Sequence, residues 1–230
     1  MSPEVVGSGG LLRLLTWLSP AFPVGAFTYS HGLEWAIEAG DVTDAGSLEA
    51  WLSDVLRFGA GRSDMILFAR AFDAAAHADL DGLREIAELG HALGPSRERR
   101  LEASAQGRAF ADTVRRTWGA PTLDWLMSAD LPLVYPVAVA VACADHGVPP
   151  VPGMTATLSA FAANVVSAAV RAVPLGQTDG QRLIARLEPV IAAVVDEARH
   201  GTLDDVGGAA LAADIASMKH ETQYTRLFRS

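Results

Sequence analysis

The sequence predicts an all-α protein, a single-domain bundle of about ten helices. Three observations carry this. Half of the residues are hydrophobic but only 7% are aromatic, so the apolar content is mostly Ala, Leu and Val. Ala and Leu are strong helix formers. Apolar residues recur at i, i+3, i+4 and i+7 in one segment after another. No segment alternates with the period of two that marks a strand, and Gly and Pro punctuate the helical pattern at short intervals.

Residues 1–10, MSPEVVGSGG, read as a flexible N-terminal segment. LLRLLTWL (11–18) is a short helix stopped by Ser19-Pro20, and PAFPVGAF (20–27) has too many prolines and glycines for regular structure. A helix is predicted over 29–39, closed by Gly40. The next carries Leu48, Trp51, Leu52, Val55 and Leu56 on one stripe and is broken by Gly59 and Gly61. Met65, Phe68, Ala69 and Phe72 mark a helix ending near His77. Leu83, Ile86, Ala87 and Leu93 mark another, stopped by Gly94-Pro95. Ser96 is a suitable N-cap for the run that follows it to Trp118, and Pro121 opens a short helix. An apolar helix follows Pro132. Pro149, Pro150 and Pro152 read as a stiff connector, before a long helix from about Met154 to Val173. PLGQTDGQ (174–181) is a turn, and the segment beyond it is helical with a kink expected at Pro189. Gly207-Gly208 precede the C-terminal tail.

A net charge of −9 argues against a protein that coats nucleic acid. Cys143 is the single cysteine, so no intramolecular disulfide is expected. With no signal-peptide pattern at the start, this fits a reducing cytoplasm. LPLVYPVAVAVACA (131–144) is too short for a membrane span, and Asn164 and Arg171 interrupt the other apolar run. Both runs are too oily for a solvated helix, and are expected to lie in the core or under a partner. Signatures of P-loops, dinucleotide sites, serine hydrolases and zincins are missing. His31, His77, His91, His146, His200 and His220 include no pair at i+3 or i+4, which disfavours a closed zinc site. His31 and Glu34 would share a helical face and form at most a transient divalent pair. A hydrolase built on Ser30, His31 and Glu34 has nothing but proximity behind it. Cys143, without a basic neighbour, is expected to be a buried, inert thiol.

The tail DIASMKHETQYTRLFRS (214–230) is unusual for a chain end. Leu211, Ile215 and Met218 form a helical stripe expected to hold it to the body. Tyr224, Arg226, Leu227, Phe228 and Arg229 are side chains typical of interfaces and are expected to reach outward. Composition alone leaves docking onto the body and docking onto a partner equally open.

Four blocks, in order, resemble the urease accessory protein UreF family: SPAFPVGAFTYSHGLEWAIEAG (19–40), SRERRLEASAQGRAF (96–110), FAANVVSAAVRAVPLGQTDGQ (161–181) and the tail itself. Thr28 stands where the family has Ser or Ala. Lys219 stands where it has Arg, and a lysine binds as a point charge rather than a fork.

The resemblance implies a homodimer without enzymatic activity of its own. Such a protein joins UreD (UreH in some species), recruits the GTPase UreG, and docks on apo-urease for GTP-dependent nickel insertion. No cofactor is held stably, and nickel passes in transit. On this basis Tyr224, Arg226, Phe228 and Arg229, with Lys219, are expected to contact UreD. Glu34 and His220 are expected near the metal path or the GTPase interface, with Glu98 and Glu102 beside them. Pro23, Gly25 and Tyr29 are expected to shape a loop at the UreG site. The alternative is a dimeric helical scaffold for another client complex.

Overall fold

The computed structural model describes residues 5–230. The helices in chain order are α1 (Ser8–Trp17), α2 (Leu33–Glu38), α3 (Ala45–Phe58), α4 (Ala60–Ala76), α5 (Leu80–Ala92), α6 (Arg97–Thr117), α7 (Pro121–Ser128), α8 (Tyr135–Asp145), α9 (Pro150–Ala172), α10 (Gln177–Ala198) and α11 (Leu211–His220). Short 3-10 turns lie at Ala26–Thr28 and Leu203–Asp205. There is no strand among the described residues.

The bundle is built around α8. Its sequence, YPVAVAVACAD, has no polar face, and Pro136 to Cys143 are all buried. Helices α4, α5, α6, α7 and α9 pack around it. This explains why a helix with almost no amphipathic bias is stable here: it has no solvent side. Gly107 lets α6 pass close over the approach to α8, since a Cβ there would lie 2.1 Å from the carbonyl oxygen of Leu133. Cys143 is buried, and burial pushes its thiol up to about 12, in keeping with an unreactive side chain. Trp17 anchors α1, edge-on to Phe110 and Trp118 with ring centres 6.0 and 5.9 Å apart.

Several boundaries differ from expectation for identifiable reasons. Of the segment expected to be flexible, residues 1–4 lie outside the described residues and Ser8 to Gly10 form the first turn of α1. Gly59 separates α3 from α4, but Gly61 lies inside α4, packed on the Leu56 backbone. The triple-proline connector is partly helix: Pro150 and Pro152 occupy the first turn of α9, where a missing N–H costs nothing. Helix α9 is consequently 23 residues, long and apolar enough to cross a membrane by length and composition, with half of its most apolar window buried inside the bundle. Gln177 to Gln181 belong to α10 rather than to a turn.

Candidate functional site

The C-terminal segment folds back onto α2 and α6. Helix α11 packs on both, but with the opposite face from the one expected. Leu211, Ile215 and Met218 are 66, 53 and 49% exposed. The face turned inward carries Ala213, Ala216, Ser217 and His220. Small side chains allow close approach: at Gly32, which has a φ of +77°, a Cβ would fall 2.8 Å from the backbone nitrogen of Ser217. Leu, Ile and Met at those inward positions would hold α11 off the body.

His220 is fully buried at the end of α11 and lies between two carboxylates. Its Nε2 is 3.0 Å from Oε2 of Glu34, and its Nδ1 is 2.6 Å from Oε2 of Glu98. Both ring nitrogens thus face carboxylate oxygens. Glu34 also accepts the backbone N–H of Leu227 on Oε1 at 2.6 Å and that of Phe228 on Oε2 at 3.0 Å. Arg226 donates to the second oxygen of Glu98 at 2.6 Å. This hub joins α2, α6, α11 and the last residues in one polar cluster. Among the described residues no group of three or more His, Cys, Asp or Glu side chains is arranged to hold a metal ion.

Residues 221–230 form a strap beyond the hub. Glu221 accepts the N–H of Arg97 at 2.6 Å, placing a carboxylate on the N-terminus of α6, where the helix dipole favours it. The amide of Gln223 donates to Glu38. Arg229 N–H donates to the carbonyl of Thr28 at 2.8 Å, and the carbonyl of Ser230 accepts from Ser30 N–H at 2.7 Å and from its hydroxyl. The Ser230 hydroxyl donates to Glu102 at 2.6 Å, which also pairs with Arg99 and accepts from Gln106. Phe228 is only 6% exposed and lies under the Arg171 guanidinium, 4.6 Å from its ring centre. The expectation that Tyr224 to Arg229 all reach outward is therefore corrected. Tyr224 and Leu227 face solvent, at 103 and 74% exposure, while Phe228 is a buried anchor and Arg226 pairs with Glu98.

The same strap lies against the 20–29 loop. Pro23 is exposed, Gly25 adopts a φ of +72°, and Tyr29 is buried. Asn164 and Arg171, the polar interruptions of α9, donate to the carbonyls of Ala26 and Phe27 at 3.1 and 3.0 Å. The loop and the tail thus meet through the Arg229–Thr28 bond, next in sequence to the exposed Phe27. Glu102 is buried and serves the strap from below. The expected His31–Glu34 pair on one helical face is not formed. His31 has a φ of +60° and Gly32 caps α2 in the left-handed region, so the chain turns before the helix starts.

His31 instead lines a cavity of about 110 Å³ with Ser63, Asp64, Arg99, Asp214 and Ser217. Its Nδ1 is buried without a hydrogen-bond partner, and burial, with Arg99 nearby, holds its pKa well below the usual histidine range. A second cavity, of about 250 Å³, lies between the 18–27 loop and helices α6, α8 and α9. Asp64 and Arg99 line both. Burial raises Asp64 from 3.8 to about 7, with Arg99 opposing and Glu102 adding to the rise. Asp64 and Arg99 are not singled out by the sequence, and Ser30 and Arg171 take part here in roles the sequence does not suggest. Arg99 lies within the run SRERRLE (96–102), and nothing in the order of residues distinguishes it from its exposed neighbours Arg97 and Arg100.

The close seat of α11 gives a direct test. Gly32→Ala is expected to combine a strained left-handed alanine with a backbone clash against Ser217, at a cost on the order of 2 kcal/mol. Hydrogen exchange should show α11 and the strap losing protection while α8 keeps it. Equal protection in both proteins would show that Gly32 does not determine the seat.

Comparison with known proteins extends what the fold shows. The family model described as UreF matches residues 42–188. A urease accessory protein UreF from Bradyrhizobium diazoefficiens is 53% identical over 224 residues, covering 97% of this chain and 93% of that protein. One from Rhodopseudomonas palustris is 54% identical over 224 residues, covering 97% of this chain and 92% of its own length. One from Xanthobacter autotrophicus is 53% identical over 235 residues, covering 99% and 97%. The similarity covers nearly the whole chain, and the chain belongs to the UreF family.

Proposed function

We propose that this chain is a non-enzymatic adaptor of urease maturation that binds UreD (UreH), then brings the GTPase UreG to apo-urease for GTP-dependent nickel insertion. The observation that carries the reading is the near full-length similarity to proteins named urease accessory protein UreF. The outward surface supports it. Tyr224 and Leu227 on the strap, Met218 and Ile215 on α11, and Phe27 on the loop are large apolar groups left in solvent. Lys219, Arg226 and Arg229 add exposed positive charge on the same segment. Apolar contact area edged by arginine is the composition of an interface core. We assign this surface to UreD and the neighbouring 20–29 loop, with Pro23 and Gly25, to UreG. A homodimer is part of the same proposal. Leu11, Leu12 and Leu15 on the outer side of α1 supply apolar surface for it.

Nickel is cargo in this reading. Imidazole and carboxylate suit the ion, and a pair of ligands rather than a cage suits release. Glu34 Oε2 and His220 Nε2 are 3.0 Å apart, the spacing of two adjacent ligands each about 2.1 Å from one ion. Both atoms are engaged in the hub, so contact with nickel requires the strap to move. The two cavities meeting at Asp64 and Arg99 are the internal space available to such a route.

The test is co-purification with UreD, then with UreG. Tyr224→Ala with Leu227→Asp changes only exposed side chains, and is expected to reduce UreD recovery at least about tenfold without altering the helical signal. Undiminished recovery would remove the strap from the UreD interface. No recovery of UreD by the unaltered chain would overturn the adaptor reading.

A further inference from the structure

The strap is bound to the body as a peptide is bound to a groove. Residues 221–230 have no helix or strand, and their hydrogen-bond anchors on the body lie from 124 positions away (Glu221 to Arg97) to 201 (Arg229 to Thr28). The seat engages the strap's main chain at four successive residues, through the N–H groups of Leu227, Phe228 and Arg229 and the carbonyl of Ser230. Over the last five residues the side chains that contact the body are at alternate positions, while Glu221 and Gln223 add contacts earlier in the strap. Arg226 reaches Glu98, Phe228 lies under Arg171, and the Ser230 hydroxyl reaches Glu102. Main-chain bonds with sockets for alternate side chains are how grooves hold extended peptides. Charge is matched at Arg226, which pairs with Glu98, and Glu34 accepts two main-chain N–H groups of the strap, while Glu102 is shared between the Ser230 hydroxyl and Arg99.

We propose that this acidic seat is an exchangeable peptide slot, and that the strap of a second copy of this chain takes it in place of the resident strap. A second copy supplies the same residues in the same register, so each of these contacts reforms between chains, as in other exchanges of an identical element. The resident strap competes at an effective concentration of about millimolar, so exchange becomes visible when the resident strap is weakened.

The probe is a dye-labelled peptide with the sequence of residues 222–230, titrated into full-length protein by fluorescence anisotropy. Arg226→Glu with Phe228→Ser empties the slot. This variant is expected to bind the peptide at least about tenfold more tightly than the unaltered chain. Adding Glu34→Gln and Glu98→Gln should abolish the gain. Where circular dichroism shows the double variant unfolded, Arg226→Glu alone, an exposed change, takes its place. In a second arm, a labelled full chain carrying only Glu34→Gln and Glu98→Gln replaces the peptide and is expected to bind the emptied variant. Equal peptide binding by the unaltered and emptied chains overturns the slot. Peptide binding without chain binding overturns the second copy as occupant. Neither arm needs UreD or UreG.

Discussion

His220→Ala is expected to be among the most damaging single substitutions in this chain, costing about 3–5 kcal/mol. The reason is electrostatic more than volumetric. Alanine leaves Glu34 and Glu98 facing each other across a buried site with the ring that hydrogen-bonds to both removed. Arg226 still pairs with one oxygen of Glu98 and two backbone N–H groups still serve Glu34, but both contacts belong to the strap, which is the part set free. Two measurements check this. Urea unfolding should show the loss of stability, and brief trypsin treatment should release the C-terminus after Arg226 faster than from the unaltered protein. Replacing both Glu34 and Glu98 by Gln in the alanine background should recover most of the lost stability, because the unpaired charges are then gone. A variant that loses stability and regains none of it this way would show that His220 acts by packing alone.

Asp64→Asn is expected to stabilise the protein above neutral pH. Asp64 has a folded-state pKa of about 7 against an ordinary 3.8, and burial is the main cause. The sign follows from proton binding. Between pH 3.8 and about 7 the folded state holds a proton on Asp64 that the unfolded state has released. Stability contributed by this residue is therefore complete below pH 3.8, falls across that interval, and is lost above about pH 7. The interval corresponds to on the order of 2–4 kcal/mol, the lower figure allowing for solvent screening of the half-buried carboxyl. Asn keeps the shape and removes the charge. The variant should match its parent near pH 4 and exceed it by that amount near pH 8. Parallel stability curves for the two proteins would contradict a raised pKa for Asp64 at the cavity wall. Because Arg99 also pairs with Glu102 beneath the strap, the Asn variant should bind UreD as the parent does unless the cavities and the strap are coupled.

The helices were legible because their causes are local. The 48–56 stripe, the Ser96 cap, the Pro121 start and the uniformly apolar α8 each follow from residues within a few turns of one another. Local rules also misread the ends. A proline can begin a helix as readily as it stops one, and this lengthened α9 to include Pro150 and Pro152. The tail was singled out for the right residues with the wrong orientation. Apolar periodicity pointed to Leu211, Ile215 and Met218 as the buried stripe. Their bulk excludes them from a face that must approach Gly32 within backbone contact, and Ala213, Ala216 and Ser217 lie there instead.

The sequence by itself determined the helical class, the order of most elements, that the apolar α8 run is covered rather than solvated, and the family resemblance that the comparisons bear out. It also named Glu34, Glu98, Glu102, His220 and the tail as residues of interest. Only the tertiary structure decided what they do to one another. His220 meets Glu98 across 122 positions and Glu34 across 186, and Phe228 finds its socket under Arg171 from a separate helix. Such contacts depend on how α2, α6, α9 and α11 cross. Those crossings are set by side-chain volume at a few glycines and alanines, a property of the packed whole that no window along the chain contains.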